Sequence, residues 1–162
     1  MGSPMLVLTS SSPESTRNFG RATAAVCRPG DVVALIGDVG AGKTTYAQGL
    51  GEGLGVESQV TSSTFVLVRQ YSGDELDLYH IDLYRLDSLE EVQSLDLDEH
   101  LYGEGVTVLE WADKFPSILP DEYLRVNIDY SGQERRTISI EGIGQRGRAM
   151  AEELKASLDR SQ

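Results

Sequence analysis

Within the stretch "GDVGAGKTT", residues Gly37, Gly42, Lys43 and Thr44 stand at the spacing G-x-x-x-x-G-K-[ST]. Apolar "VVALI" (32–36) precedes it and a helical pattern follows, the context a phosphate-binding loop requires. Glycines at this spacing let several backbone N–H groups turn toward one anion. A helix start adds the positive end of its dipole. Lys43 then brings a point charge to the outer phosphates, and the Thr44 hydroxyl is placed to ligate Mg²⁺. The cradle is read as Gly37, Asp38, Val39, Gly40, Ala41, Gly42, Lys43, Thr44 and Thr45. Asp38 also has a plainer reading, as a cap on the loop's own backbone.

Such a site needs a second acid on the metal side, at the end of a neighbouring buried strand. "VTVLEW" (106–111) offers Glu110 there. Thr61, Ser62, Ser63 and Thr64 supply hydroxyls able to sense a γ-phosphate through Mg²⁺, as switch segments do. "HIDLYRL" (80–86) puts His80 and Asp82 on one face of a strand. Asp82 is a candidate for orienting the attacking water. His80 is either a base or, as a lone histidine on a strand, a structural residue. Arg135 and Arg136 lie within reach of a phosphate, but they do not resemble a lid.

These residues need elements to hold them. "MLVLTS" (5–10) reads as a strand, and Ser12–Pro13 as a helix start, a cap hydroxyl followed by the residue favoured at the first helical position. Phe19, Ala22 and Val26 share a helical face, and "RPG" (28–30) ends that helix. A second helix is expected from about Gly42 to Leu54, fraying early because "GLGEGLG" is poor in helix formers. "TFVLVRQY" (64–71) and "LDLYHID" (76–82) flank "SGDE" as a hairpin. Residues 88–101 read as a helix capped by Ser88. "YLRVNID" and "RRTISIE" form a second hairpin around "YSGQE". A closing helix over 146–160 carries Met150, Leu154 and Leu158 as its stripe. The expected fold is α/β: a single P-loop NTPase domain over residues 1–162, a mixed sheet with parallel centre and antiparallel hairpin additions, and helices on both faces.

Bulk properties narrow the function. The chain has 162 residues, enough for one core. Its 26 acidic against 14 basic residues, a net charge of −12, argue against a dedicated nucleic-acid surface. Acidity serves solubility or a basic protein partner. Cys27 is the sole cysteine, so no disulfide framework exists and a reduced cytoplasm is the expected setting. No apolar run approaches the roughly 18 residues of a membrane span, and no secretory signal pattern is read at the start.

Taken in order, "GDVGAGKTT", "TSSTF", "YHIDLYRL" and "LEW" resemble the bacterial TsaE family of small P-loop ATPases, over roughly residues 7 to 142. "HIDLYRL" and the Glu110–Trp111 pair carry most of the resemblance, since the phosphate loop is shared with many NTPases. The resemblance implies an ATPase needed for threonylcarbamoyladenosine beside the tRNA anticodon, cycling ATP and ADP with Mg²⁺. It also implies work with the TsaB–TsaD pair, tRNA being met only through that complex. It makes Lys43 and Thr44 the phosphate and Mg²⁺ residues and Glu110 the second Mg²⁺-side acid. Thr64 falls on a switch-like segment, Asp82 positions water, and Trp111 lies beside the nucleotide. Two departures stand out: Ser63 and Ala112 occupy positions where the family usually has proline, which fixes φ. A small-molecule kinase and a nucleotide-gated interaction module with little turnover are the competing readings.

Overall fold

The computed structural model describes residues 5–38, 40–57, 60, 68–95, 97, 101 and 103–160. In chain order these form β1 (Met5–Ser10), α1 (Pro13–Val26), β2 (Val32–Ile36), α2 (Lys43–Gly53), β3 (Val68–Tyr71) and β4 (Leu78–Asp82). There follow α3 (Leu89–Gln93), β5 (Val106–Glu110), β6 (Tyr123–Tyr130), β7 (Arg136–Ile143) and α4 (Gly144–Arg160).

The strands make one sheet in the order β1-β7-β6-β2-β5-β4-β3. β2 pairs parallel with β5 and with β6, and β5 pairs parallel with β4. The outer pairings β1–β7, β6–β7 and β3–β4 are antiparallel. This is the parallel centre with hairpin additions that the patterning implies. β2 and β5 are apolar almost throughout because each is covered on both faces. Val33 and Leu35 point to one core with α1, α2 and α4; Val32 and Ala34 point to the other, with Val92 of α3 and Ala112. The long helices therefore share one face, and the opposite face is closed by α3 and two short 3₁₀ turns (Ala112–Lys114, Pro116–Ile118).

Caps behave as their chemistry dictates. Ser12 Oγ accepts from the Ser15 N–H at 3.1 Å, with Pro13 at the first helical position. Ser88 Oγ accepts from the Glu91 N–H at 3.2 Å and starts α3. α3 ends at Gln93, where the Ser94 hydroxyl donates back to the Glu91 carbonyl at 2.6 Å; Leu101, at the far end of the expected helix, is helical and its N–H donates to the Leu97 carbonyl at 2.9 Å. Residues 96 and 98–100 of the expected helix lie outside the described residues.

The expected stripe of α1 faces the core: Val26 is buried, and Phe19 and Ala22 pack against it partly buried, with Thr16, Gly20, Thr23 and Ala24 buried beside them. One expectation is corrected at the α1–α2 contact. The glycines of α2 are not an early fray, since the helix is continuous to Gly53. They are a packing surface. A Cβ at Gly20 would stand 2.2 Å from the Tyr46 carbonyl oxygen, and one at Gly49 only 2.0 Å from that of Arg17. Gly49→Ala is accordingly expected to destabilise the fold by about 1–3 kcal/mol through overpacking, although alanine is the better helix former. Urea unfolding would check this, and an unchanged midpoint would contradict the contact.

α4 docks through Met150, Ala151 and Leu154, all essentially without exposure. Arg146 grips Asp31 with both ends of its guanidinium, at 3.0 and 2.8 Å, and also donates to the Val26 carbonyl at 2.8 Å. The closing helix thus pins the start of β2, the strand that delivers the phosphate loop. Among the described residues, no helix is long and apolar enough to cross a membrane.

Candidate active site

β2 ends at Ile36 and α2 begins at Lys43, so residues 37–42 form the connection. It lies at the carboxyl ends of the parallel strands, where open α/β sheets bind ligands. Gly42 is the N-cap of α2 with φ 115°, in the left-handed region that side chains avoid, and no side chain caps the helix. The first N–H groups of α2 therefore face the loop rather than a cap. Within the loop, the Asp38 carbonyl accepts from the Ala41 N–H at 3.0 Å. The backbone of Asp38, rather than its carboxylate, makes that turn.

Lys43 is not the surface residue that a loop position suggests. It is 5% exposed, and its Nζ donates to the carbonyls of Gly37 at 2.5 Å and Asp38 at 2.8 Å. The ammonium also stands 4.1 Å from the centroid of the Trp111 ring. Burial pulls the ammonium below the ordinary lysine range, and the carboxylates of Glu110, Asp82, Asp113 and Asp38 pull the other way. The Thr44 hydroxyl, one residue on, lies 3.3 Å from both carboxylate oxygens of Glu110. The β2–β5 pairing makes that contact, by setting Leu35 opposite Glu110.

β4 adds the next rung. Asp82 is in register with Glu110, and His80 with Val108. Asp82 is 7% exposed, and its Oδ1 accepts from the Tyr84 N–H at 3.0 Å. His80 Nε2 lies 2.5 Å from Glu110 Oε2. A carboxylate only accepts, so this nitrogen carries the hydrogen and donates it.

Trp111 is the sole non-glycine residue at positive φ among the described residues, at 63°. That turn swings the indole back over the phosphate loop, while the main-chain N–H of Trp111 still donates to the Leu35 carbonyl at 3.2 Å. Exposed Tyr84 stacks on its outer side, ring centroids 4.9 Å apart. Ala112, where the family usually has proline, is fully buried and opens the 3₁₀ turn that follows.

On the other side of the loop is a pocket of about 290 Å³. Ser12, Thr16, Gly40, Ala41, Thr45 and Arg136 are among its walls, whereas Lys43, Thr44 and Glu110 are not. Arg136 donates from Nε to the Ala41 carbonyl at 3.0 Å and lies 4.3 Å over the Tyr130 ring. An arginine therefore does touch the phosphate loop. Arg135 is exposed in the hairpin turn, its carbonyl accepting from the Ser131 N–H.

Gly37, Asp38, Gly40, Ala41, Gly42, Lys43, Thr44, Thr45, Asp82, Glu110, Trp111 and Arg136 thus gather around one loop. Val39 and the segment with Thr61 and Thr64 lie outside the described residues. Sequence reasoning missed the Ser12–Thr16 wall, Tyr84 and the His80–Glu110 bond. The signal for the last was present: a histidine and an aspartate two apart on a strand, beside another strand ending in an acid.

A mixed sheet whose central strand feeds a glycine-rich loop, a Lys-Thr pair at a helix start and an acid at the end of the adjacent strand together define a P-loop NTPase fold. Comparison with known proteins refines this. The family model described as "Threonylcarbamoyl adenosine biosynthesis protein TsaE" matches residues 10–138, and the chain belongs to that family. A tRNA threonylcarbamoyladenosine biosynthesis protein TsaE of Bacillus subtilis is 42% identical over 142 residues, covering 88% of this chain and 89% of its own. The protein of that name from Streptomyces coelicolor is 44% identical, covering 80% and 92%. A crystal structure of Bacillus subtilis YdiB superposes with a TM-score of 0.81 at 36% identity, over 96% of this chain and 97% of that one.

Proposed function

We propose that this chain is a Mg²⁺-dependent ATP hydrolase serving tRNA threonylcarbamoyladenosine formation in the cytoplasm, in complex with TsaB and TsaD. The observation that carries the chemistry is the Thr44–Glu110 contact. It joins the first turn of α2 to the end of β5 through two oxygen donors, the donor type a hard cation such as Mg²⁺ takes. Thr44 and Glu110 would hold the ion, which neutralises charge on the outer phosphates. Lys43 leaves the carbonyls of Gly37 and Asp38 for those phosphates, exchanging neutral acceptors for charged ones. The N–H groups of the loop and of α2 hold the remaining phosphate oxygens. Asp82, beside Glu110, orients the attacking water. The Thr45 and Arg136 pocket takes the nucleoside side of ATP, because it adjoins the loop and excludes Lys43 and Glu110. Trp111 screens the phosphate end from solvent.

The pathway assignment is supported by the family and by the names of its relatives. Dependence on partners is supported by the position of Arg136. Bound to Ala41 and stacked on Tyr130, it serves the nucleoside side, which leaves charge at the γ-phosphate for a partner's cation to offset. Phosphate release from Mg²⁺-ATP, measured for the pure protein, with TsaB–TsaD, and with TsaB–TsaD plus tRNA, tests the reading. A slow basal rate raised by the pair is expected. A rate indifferent to the pair would overturn it, and one that rises with a small-molecule acceptor would make the chain a kinase.

A further inference from the structure

We infer that His80 is a positioning residue for Glu110: it fixes the carboxylate plane and reserves Oε1 for the Mg²⁺ side. The inference rests on the reading of Glu110 as the Mg²⁺-side acid. His80 is 3% exposed and stands on β4 between Tyr79 and Ile81, on the same face as Leu78 and Asp82. Leu78 packs in the core beneath α2, so the alternate residues Leu78, His80 and Asp82 face the helix that carries Thr44. His80 lies two residue pairs below the Asp82–Glu110 pair on the same two strands and reaches up to it.

The bond it makes is short, 2.5 Å from Nε2 to Glu110 Oε2, between side chains that are 3% and 4% exposed. Rotation about the last torsion of a glutamate is soft, with no staggered well to fix the carboxylate plane. Thr44 does not supply that restraint, because its hydroxyl is equidistant, at 3.3 Å, from both oxygens. The imidazole is a rigid donor directed at one oxygen only. Oε2 is thereby held, and Oε1 is left for the ion or for a water on it. Among the described residues, the His80 side chain reaches the site through its bond to Glu110, so it acts on the metal side at one remove. A donor behind a metal-side ligand commonly sets metal affinity by about 10- to 100-fold.

ATP affinity measured by calorimetry across a Mg²⁺ series, and in EDTA, tests this, with Mn²⁺ bound to the protein–ATP complex counted by electron paramagnetic resonance. His80→Leu is expected to raise the half-effective Mg²⁺ concentration about 10- to 100-fold, with ATP affinity in EDTA unchanged. His80→Gln, which keeps an N–H near the Nε2 position, should recover most of that loss. His80→Asn, whose amide is too short to reach Oε2, should not. A folded His80→Leu with the wild-type Mg²⁺ midpoint, while Glu110→Gln shifts it, would overturn the inference and leave the metal reading standing. A Glu110→Gln protein with the wild-type midpoint would remove the metal reading and this inference together. If His80→Leu does not fold, the comparison of Gln with Asn decides, and equal midpoints for the two would reject the positioning role.

Discussion

Asp82→Asn is expected to leave ATP bound and to slow its hydrolysis by about 10²- to 10⁴-fold, the range over which a positioned acid or base assists proton transfer. One contact of the side chain survives the substitution. Asp82 Oδ1 accepts from the Tyr84 N–H, and the amide oxygen of asparagine accepts the same bond. What changes is charge and acceptor strength at the end of β4, one strand away from Glu110. Calorimetry should give an ATP affinity like that of the unsubstituted protein. Single-turnover hydrolysis, measured with TsaB–TsaD present, should show the loss. A parallel loss of binding would reassign Asp82 to holding the turn that carries Tyr84.

Lys43→Ala is expected to weaken triphosphate binding by about 10- to 150-fold, the equivalent of one charge-assisted hydrogen-bond set worth roughly 1.5–3 kcal/mol. The same substitution should also lower stability by about 1–2 kcal/mol. The ammonium packs on Trp111 and ties two loop carbonyls together, and both contacts vanish. Lys43→Met separates the effects: it keeps an aliphatic stem against the indole and removes the charge. Nucleotide titrations run beside thermal unfolding should find Met the more stable variant and both variants poor binders. Unchanged ATP affinity in a folded Lys43→Met protein would remove Lys43 from the phosphate site.

Most of the framework was legible because it is written in local periodicity. Apolar runs at 32–36 and 106–110 are covered on both faces and mark the sheet centre. Glycine and lysine spacing marks the loop between them, since few other backbones need that pattern. What escaped was pairwise. The glycines of α2 look like poor helix formers until α1 is laid on them, because propensity concerns one helix at a time. Lys43 looks exposed until Trp111, 68 positions on, takes a left-handed turn and covers it. The His80–Glu110 bond depends on β4 lying parallel to β5 in a register that no local pattern states. The break in the 88–101 helix after Gln93 escaped for a smaller reason, a single serine hydroxyl turned back on its own helix.

Where α1 crosses α2, main chain meets main chain at Gly20 and Gly49. No side chain stands between them there to absorb a displacement by changing rotamer. Any tilt of the first turn of α2 is therefore passed undamped to the start of α1. The pocket beside the phosphate loop takes two of its walls from these helices, Ser12 and Thr16 on one and Thr45 on the other, and a third from the β6–β7 hairpin at Gln133, Glu134 and Arg136. Two of the walls thus belong to one rigid pair of helices, and the third is tied to the phosphate loop itself through the Arg136 bond to the Ala41 carbonyl.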